Sequence, residues 1–160
     1  MFLRGASGAG KSELGLELLT RGHKLVADDI VEWRRGADGR VIGRCPPLLE
    51  GFIEVRGLGI LNARALYGEA ALTPSAPLDL VIDLGVRTDA TAEERLHGRR
   101  GQYTVLDVSV PEISLPRRVG HNLAVLVEAA CRDHRLRLSG YRADDDLVER
   151  QRRRLDRPES

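Results

Sequence analysis

The spacing of apolar positions changes several times along the chain, and each change predicts an element. Phe2-Leu3 is the apolar end of a strand. From Glu13 to Leu19 the residues favour helix, Leu14 and Leu18 share one face, and Gly22 is placed to end the helix. Leu25-Val26-Ala27 predicts a short buried strand that runs into Asp28-Asp29. Ile30 to Arg44 predicts a hairpin, with Val31 and Trp33 on one arm, Val41 and Ile42 on the other, and Arg35-Gly36-Ala37-Asp38-Gly39 as the turn. After Pro46-Pro47, Phe52-Ile53-Glu54-Val55 alternates as a strand. It is followed by the glycine-containing run from Arg56 to Asn62, and Ala63 to Tyr67 makes one or two helical turns. Leu78 to Leu84 is the most apolar strand, and Thr91 to Leu96 a short helix or turn. Tyr103 to Leu115 alternates around Pro111, which predicts two strands or one interrupted strand. Asn122 to Arg137 is the best helix, with Leu123, Leu126, Val127 and Ala130 on one side. Ala143 to Asp156 is a second, far more polar helix.

The order is one strand, one helix, many strands, then two helices. A doubly wound sheet would alternate strand and helix throughout. The pattern therefore predicts an α/β fold built on a mixed or antiparallel sheet. At 160 residues and 42% apolar content, one domain spanning 1–160 is expected. A net charge of +1 gives no global field for nucleic acid or membrane. No apolar run reaches the roughly 18 residues of a membrane span, and Arg4 and the early glycines make a secretory leader unexpected. Cys45 and Cys131 lack metal-ligand spacing and read as reduced thiols of a cytoplasmic protein. The arginines of the last helix (Arg150, Arg152, Arg153, Arg154 and Arg157) read as a solvated face beside Asp144-Asp145-Asp146 and Glu149 rather than a nucleic-acid tail.

The candidate chemistry lies at the start. Gly5-Ala6-Ser7-Gly8-Ala9-Gly10-Lys11-Ser12 has the spacing of a phosphate-binding loop. Its glycines let the backbone curl and aim several N–H groups at one anion. The helix that follows adds its positive end. Lys11, one of only two lysines in the chain, supplies a compact cation for the β- and γ-phosphates, and the Ser12 hydroxyl is a ligand for Mg²⁺. Only four residues precede this loop, so a strand or more is expected to be missing upstream.

A nucleotide site also needs carboxylates. Leu80-Val81-Ile82-Asp83 has the form of a metal-binding strand end. Val26-Ala27-Asp28-Asp29 has it too and doubles the acid, so one member can hold metal while the other takes a proton. Glu54 is the third acid. Gly57 and Gly59, flanking Leu58, predict a close backbone approach or a glycine bulge.

Three blocks together resemble the catalytic domain of bacterial HPr kinase/phosphorylase. The first runs from Gly5 to Leu18 and on through Arg21-Gly22-His23 to Asp29. The second is Ile53-Glu54-Val55-Arg56-Gly57-Leu58-Gly59-Ile60-Leu61-Asn62. The third is Pro116-Arg117-Arg118-Val119-Gly120-His121-Asn122 and the residues to Ala130. The resemblance covers nearly the whole chain. It implies a P-loop fold of phosphoenolpyruvate-carboxykinase type, and ATP-dependent phosphorylation of a serine of the phosphocarrier protein HPr. It also implies reversal by phosphorolysis, action in the sugar phosphotransferase system, and a homohexamer. Residue by residue, it implies that Gly5 to Ser12 bind nucleotide, that Ser12 and Glu54 hold Mg²⁺ with Asp28 beside them, and that Lys11, Asp29 and Arg95 are catalytic. Asp29 would accept the serine proton and return it in the reverse reaction. Arg56, Gly57 and Gly59 belong to a stretch serving both reactions, and Arg117, Arg118, Gly120 and His121 to a loop serving dephosphorylation.

Two departures stand out. The resemblance leads one to expect a functional histidine upstream of the loop and an amino-terminal domain, and neither falls within residues 1–160. His121 stands where the family has arginine. Two other readings use the same residues: a P-loop kinase of a small molecule, and a nucleotide-binding regulatory module with little turnover.

Overall fold

The computed structural model describes residues 1–85, 89–116 and 120–156. Its centre is a four-stranded sheet of β1 (Phe2–Arg4), β7 (Val81–Gly85), β9 (Val108–Pro116) and β8 (Arg99–Val105), in that spatial order. β1, β7 and β9 run parallel, and β8 closes one edge antiparallel to β9. This is the mixed sheet that the strand and helix order predicts.

Alternation along β7 explains the layers. Leu80, Ile82 and Leu84 face α1 (Lys11–Thr20) and α4 (Leu123–Leu138), where they pack with Leu14, Leu18, Ile113 and Val127. Val81 points the other way, to a cluster with Val41, Leu78 and Val110. That side is covered by the antiparallel sheet of β2 (Glu32–Arg35), β3 (Val41–Arg44) and β6 (Ser75–Pro77). Phe2 and Trp33 meet edge to face there, with ring centres 5.2 Å apart. A separate hairpin, β4 (Phe52–Val55) with β5 (Gly59–Asn62), leads into the short α2 (Ala63–Tyr67). Buried Ile53 touches α1 at Gly15, where a Cβ would stand 3.5 Å from the isoleucine Cδ1. α3 (Ala92–His97) and α5 (Ala143–Leu155) complete the chain. Among the described residues no helix is long and apolar enough to cross a membrane, and Cys45 and Cys131 are free.

Three expectations change. Leu25-Val26-Ala27 is not a strand: only Leu25 forms a bridge, to Leu72, and the rest of the segment is a bend. Its apolar character is spent on a small cluster with Leu19, Ala63 and Ala71 rather than on a ladder. Tyr103 to Leu115 is two long strands whose turn lies at Leu106-Asp107, both left-handed at φ 49° and 58°, and not at Pro111. Pro111 is tolerated inside β9 because pairing with β7 begins only at Glu112. The glycines of the β4–β5 turn answer a backbone demand and not a packing one. Gly57 and Gly59 have φ of 88° and 81°, and nothing lies within 4 Å of a Cβ on either.

The central strand is the stability reporter. Ile82→Ala, at a fully buried position between sheet and helices, is expected to cost about 3–4 kcal/mol in urea unfolding. Leu155→Ala, at an 85% exposed position, is expected to stay within about 0.5 kcal/mol of the parent.

Candidate functional site: a phosphate loop with an acid clamp

The parallel strands all end on one side of the sheet, and the candidate residues leave from those ends. Residues 5–12 follow β1, the segment leading to α3 follows β7, and the run to Gly120-His121 follows β9. Ligands of open α/β sheets bind at this carboxyl edge. β7 also abuts the loop directly. A Cβ on Gly5 would stand 3.3 Å from the Leu84 Cβ and carbonyl oxygen, and 3.1 Å from the Ala9 Cβ.

Gly8 and Gly10 are left-handed, at φ 78° and 82°, and together turn the chain into α1. Gly10 is the N-cap of that helix, and no side chain caps it. The first-turn N–H groups of α1 therefore lack the usual acceptor and point, with the helix dipole, into the loop. Lys11 folds back over it, donating to the carbonyls of Gly5 at 2.9 Å and Ala6 at 3.2 Å. A second cation closes the tip: the Arg56 guanidinium lies 3.7 Å from where a Cβ on Gly8 would be. Arg56 arrives on the turn between β4 and β5, which ties that hairpin to the loop. The arrangement is built for a polyphosphate anion.

The two candidate acids sit in different surroundings. Asp28 accepts a hydrogen bond from the Glu54 N–H at 2.8 Å, and its other oxygen lies 3.5 Å from the Ser12 hydroxyl. It thus clamps the loop helix to β4. Asp83 belongs elsewhere. It lies level with Arg4 in the sheet and its charge acts on that arginine, which pairs with Glu112 at 2.8 Å and stacks over Tyr103. Burial pushes the Asp28 carboxyl up, the Glu54 N–H opposes the rise, and the neighbouring charge of Asp29 adds to it. Asp29 itself is exposed. Lys11, Asp28 and Asp29 line one cleft of about 530 Å³ with Gly5.

Glu54 is exposed at the edge of the same site. The donors gathered here, a hydroxyl and carboxylates, are hard oxygens that suit Mg²⁺. No group of three or more His, Cys, Asp or Glu side chains poised for a metal occurs among the described residues, so phosphate and water oxygens would complete such a shell. Arg95 is exposed on α3. Gly120, at φ 82°, and exposed His121 precede Asn122, which caps α4 by accepting from the Val125 N–H. Arg117, Arg118 and Val119 lie outside the described residues, as does Arg157. The resemblance put Asp28 beside Ser12 and Glu54, but sequence reasoning did not foresee that Asp28 accepts from the β4 backbone, or that Arg56 caps the loop tip. Both contacts join residues far apart in the chain and carry no local signature.

Comparison with known proteins fits this geometry. The model of the HPr serine kinase C-terminal domain matches residues 1–151. The HPr kinase/phosphorylase of Azoarcus sp. (strain BH72) is 50% identical over 156 residues, covering 97% of this chain and 50% of that protein. That of Neisseria meningitidis (strain FAM18) is 45% identical over 157 residues, covering 97% and 49%. The chain thus spans about half the length of the curated relatives it matches. A solved structure of the Hpr(Ser) kinase/phosphatase from Coxiella burnetii superposes with a TM-score of 0.81 at 32% identity, covering 91% of this chain and 88% of that one.

The raised carboxyl of Asp28 has a stability consequence. The folded state binds this proton more readily than the unfolded chain. The group therefore works against folding as pH rises above the ordinary carboxylate range. Asp28→Asn keeps an acceptor for the Glu54 N–H and removes the charge. Its Tm at pH 7 is expected to equal or exceed that of the parent, while Mg-ATP affinity by calorimetry falls about tenfold or more, on the order of 1.4 kcal/mol. A Tm several degrees below the parent would show that the clamp stabilises the fold instead.

Proposed function

The chain belongs to the HPr serine kinase C-terminal domain family, and on that premise we propose that it transfers the γ-phosphoryl group of ATP to a serine of HPr. In reverse, inorganic phosphate attacks the phosphorus of seryl-phosphorylated HPr, the serine oxygen leaves, and pyrophosphate is formed. Residues 1–160 act in this reading as one catalytic domain of a cytoplasmic homohexamer, as the family resemblance implies. The observation that carries the proposal is the joined geometry of loop and acids: an uncapped α1, Lys11 and Arg56 about the loop, and Asp28 linking Ser12 to the backbone of Glu54.

The roles follow from charge and reach. The backbone of Gly5 to Ser12 and Lys11 hold the phosphates in line. Ser12 and Glu54, with Asp28, would hold Mg²⁺, which would supply charge neutralisation for the phosphate oxygens. Arg95 reaches the transferring group as a second cation. Asp29 accepts the proton as the serine oxygen attacks phosphorus and the bond to the ADP oxygen breaks. Running backwards, protonated Asp29 returns its proton to the serine oxygen as that bond opens. Arg56, Gly57 and Gly59 set the hairpin tip against the loop in both directions. The stretch with Arg117, Arg118, Gly120 and His121 serves the reverse reaction, as the family resemblance implies. A neutral imidazole holds phosphate less well than a guanidinium at pH 7.

Incubating the chain with labelled ATP, Mg²⁺ and purified HPr tests this directly. Label is expected on a serine of HPr. Asp29→Asn should lower the rate by about 10²–10⁴ while leaving ATP affinity within a few-fold. Full activity in Asp29→Asn together with loss in Asp83→Asn would overturn the assignment. Phosphorolysis is expected to be slower than phosphorylation at pH 8. Equal rates at pH 8 would contradict the role given to His121.

A further inference from the structure

α5 is thirteen residues long, and its one buried residue is an acid, Asp144. Its apolar side chains do not dock it: Leu147 and Val148 are half exposed and Leu155 is 85% exposed. The Asp144 side chain, 2% exposed, provides the attachment. One carboxylate oxygen is 2.8 Å from His97 Nδ1, and the other accepts from the Arg137 guanidinium at 2.9 Å. Arg142 lies 3.7 Å away. An ionised carboxylate only accepts, so His97 Nδ1 carries the proton. The His97 hydrogen bond and the Arg137 charge hold the Asp144 carboxyl far below the usual range against the opposing effect of burial. Removing one partner of such a group strands a buried charge.

His97 is the last residue of α3, and α3 needs the contact. The helix has six residues, none buried. A helix that short does not hold itself. Its amino end is fixed by a reciprocal capping box between Thr91 and Glu94. Its carboxyl end is fixed by a chain of charges. Arg100 donates to the His97 carbonyl at 3.0 Å and to Asp133 at 2.6 Å. Arg137 bridges Asp133 at 2.8 Å and Asp144. The chain joins β8, α4 and α5 to the end of α3, two residues beyond Arg95.

We propose that Asp144 is a positioning residue: through His97 it holds α3, and hence Arg95, at the carboxyl edge of the sheet. The catalytic half of this inference rests on the role given to Arg95 above. α5 then couples to phosphoryl transfer without touching substrate.

Hydrogen exchange and kinetics on the full chain test it with His97→Ala, at a 40% exposed side chain, and Asp144→Asn. The Arg95 and Gly98 amides, which donate to the Thr91 and Glu94 carbonyls at 3.0 and 2.9 Å, are expected to exchange at least about tenfold faster in His97→Ala, with α1 and β7 unchanged. With HPr as acceptor, kcat should fall about tenfold or more and KM for ATP stay within about twofold. His97→Asn, whose amide donates from the place of Nδ1, should recover most of both losses. Unchanged α3 exchange, equal acceleration across the whole chain, or faster α3 exchange at an unaltered kcat would each overturn the proposal. Should Asp144→Asn fail to fold, the two His97 variants decide alone. A parent chain that transfers no phosphoryl group would defeat the proposed function, and the exchange data would still decide whether Asp144 holds α3.

Discussion

The amino end of α1 is the constraint around which the rest is arranged. Its first-turn N–H groups need an acceptor, and Gly10, being left-handed and without a side chain, supplies none. The end is also fixed in space, because Gly5 packs against Leu84 and cannot back away without opening the core. Such an end accommodates an anion at little cost, since no internal hydrogen bond has to break first. The cations are placed accordingly. Lys11 stays on the carbonyls of its own loop and keeps its third proton for another acceptor, and Arg56 is delivered by a hairpin that has no part in the central sheet.

That delivery explains why Asp28 is half-buried at some expense. A carboxylate among apolar walls costs free energy unless it organises something. Here it organises two elements. One oxygen sits at the Ser12 hydroxyl of α1 and the other receives the Glu54 N–H of β4, so loop, acid segment and hairpin are set relative to one another by a single side chain. A nearby cation would favour the charged form and lower the cost. The raised carboxyl and the oxygen-rich surroundings are two aspects of one arrangement. Asp29, exposed beside it, is free of these ties and can face an incoming hydroxyl.

The parts of this site legible in the sequence are those with a local cause. The spacing from Gly5 to Ser12 encodes a backbone bend, which appears where the pattern put it. The glycines at 57 and 59 marked a special backbone but not its form, which is a left-handed turn. Long-range contacts were not legible. Leu25-Val26-Ala27 looked like a strand because apolar β-formers look alike whether or not a partner strand is at hand, and here only Leu25 found one. Pro111 looked like a break because its neighbours in the sheet were unknown. Asp83 competed with the favoured Asp28-Asp29 pair, and the structure puts it level with Arg4 in the sheet, away from the Ser12 and Glu54 contacts that Asp28 makes. The run Asp144-Asp145-Asp146 reads as a solvated helix start favoured by the dipole. Asp145 and Asp146 fit that reading, whereas Asp144 is turned inward to His97 and Arg137.

The use of a charge where a leucine would attach α5 more cheaply has a physical rationale. Apolar contacts are non-directional, and a helix held by them can slide or roll at small cost. A buried carboxylate with donors from two different helices has one acceptable orientation, because any shift leaves a charge unpaired. The arginines further along α5 lack this constraint. Arg150 and Arg153 pair with Asp146 and Glu149 of their own helix, and such exposed pairs contribute little. The ionic attachment is thus concentrated at the start of α5, opposite the end of α3, while the rest of the helix contributes little to its own placement. A device of that kind exchanges binding strength for geometric definition, which α3 cannot supply from its own six residues, none of them buried.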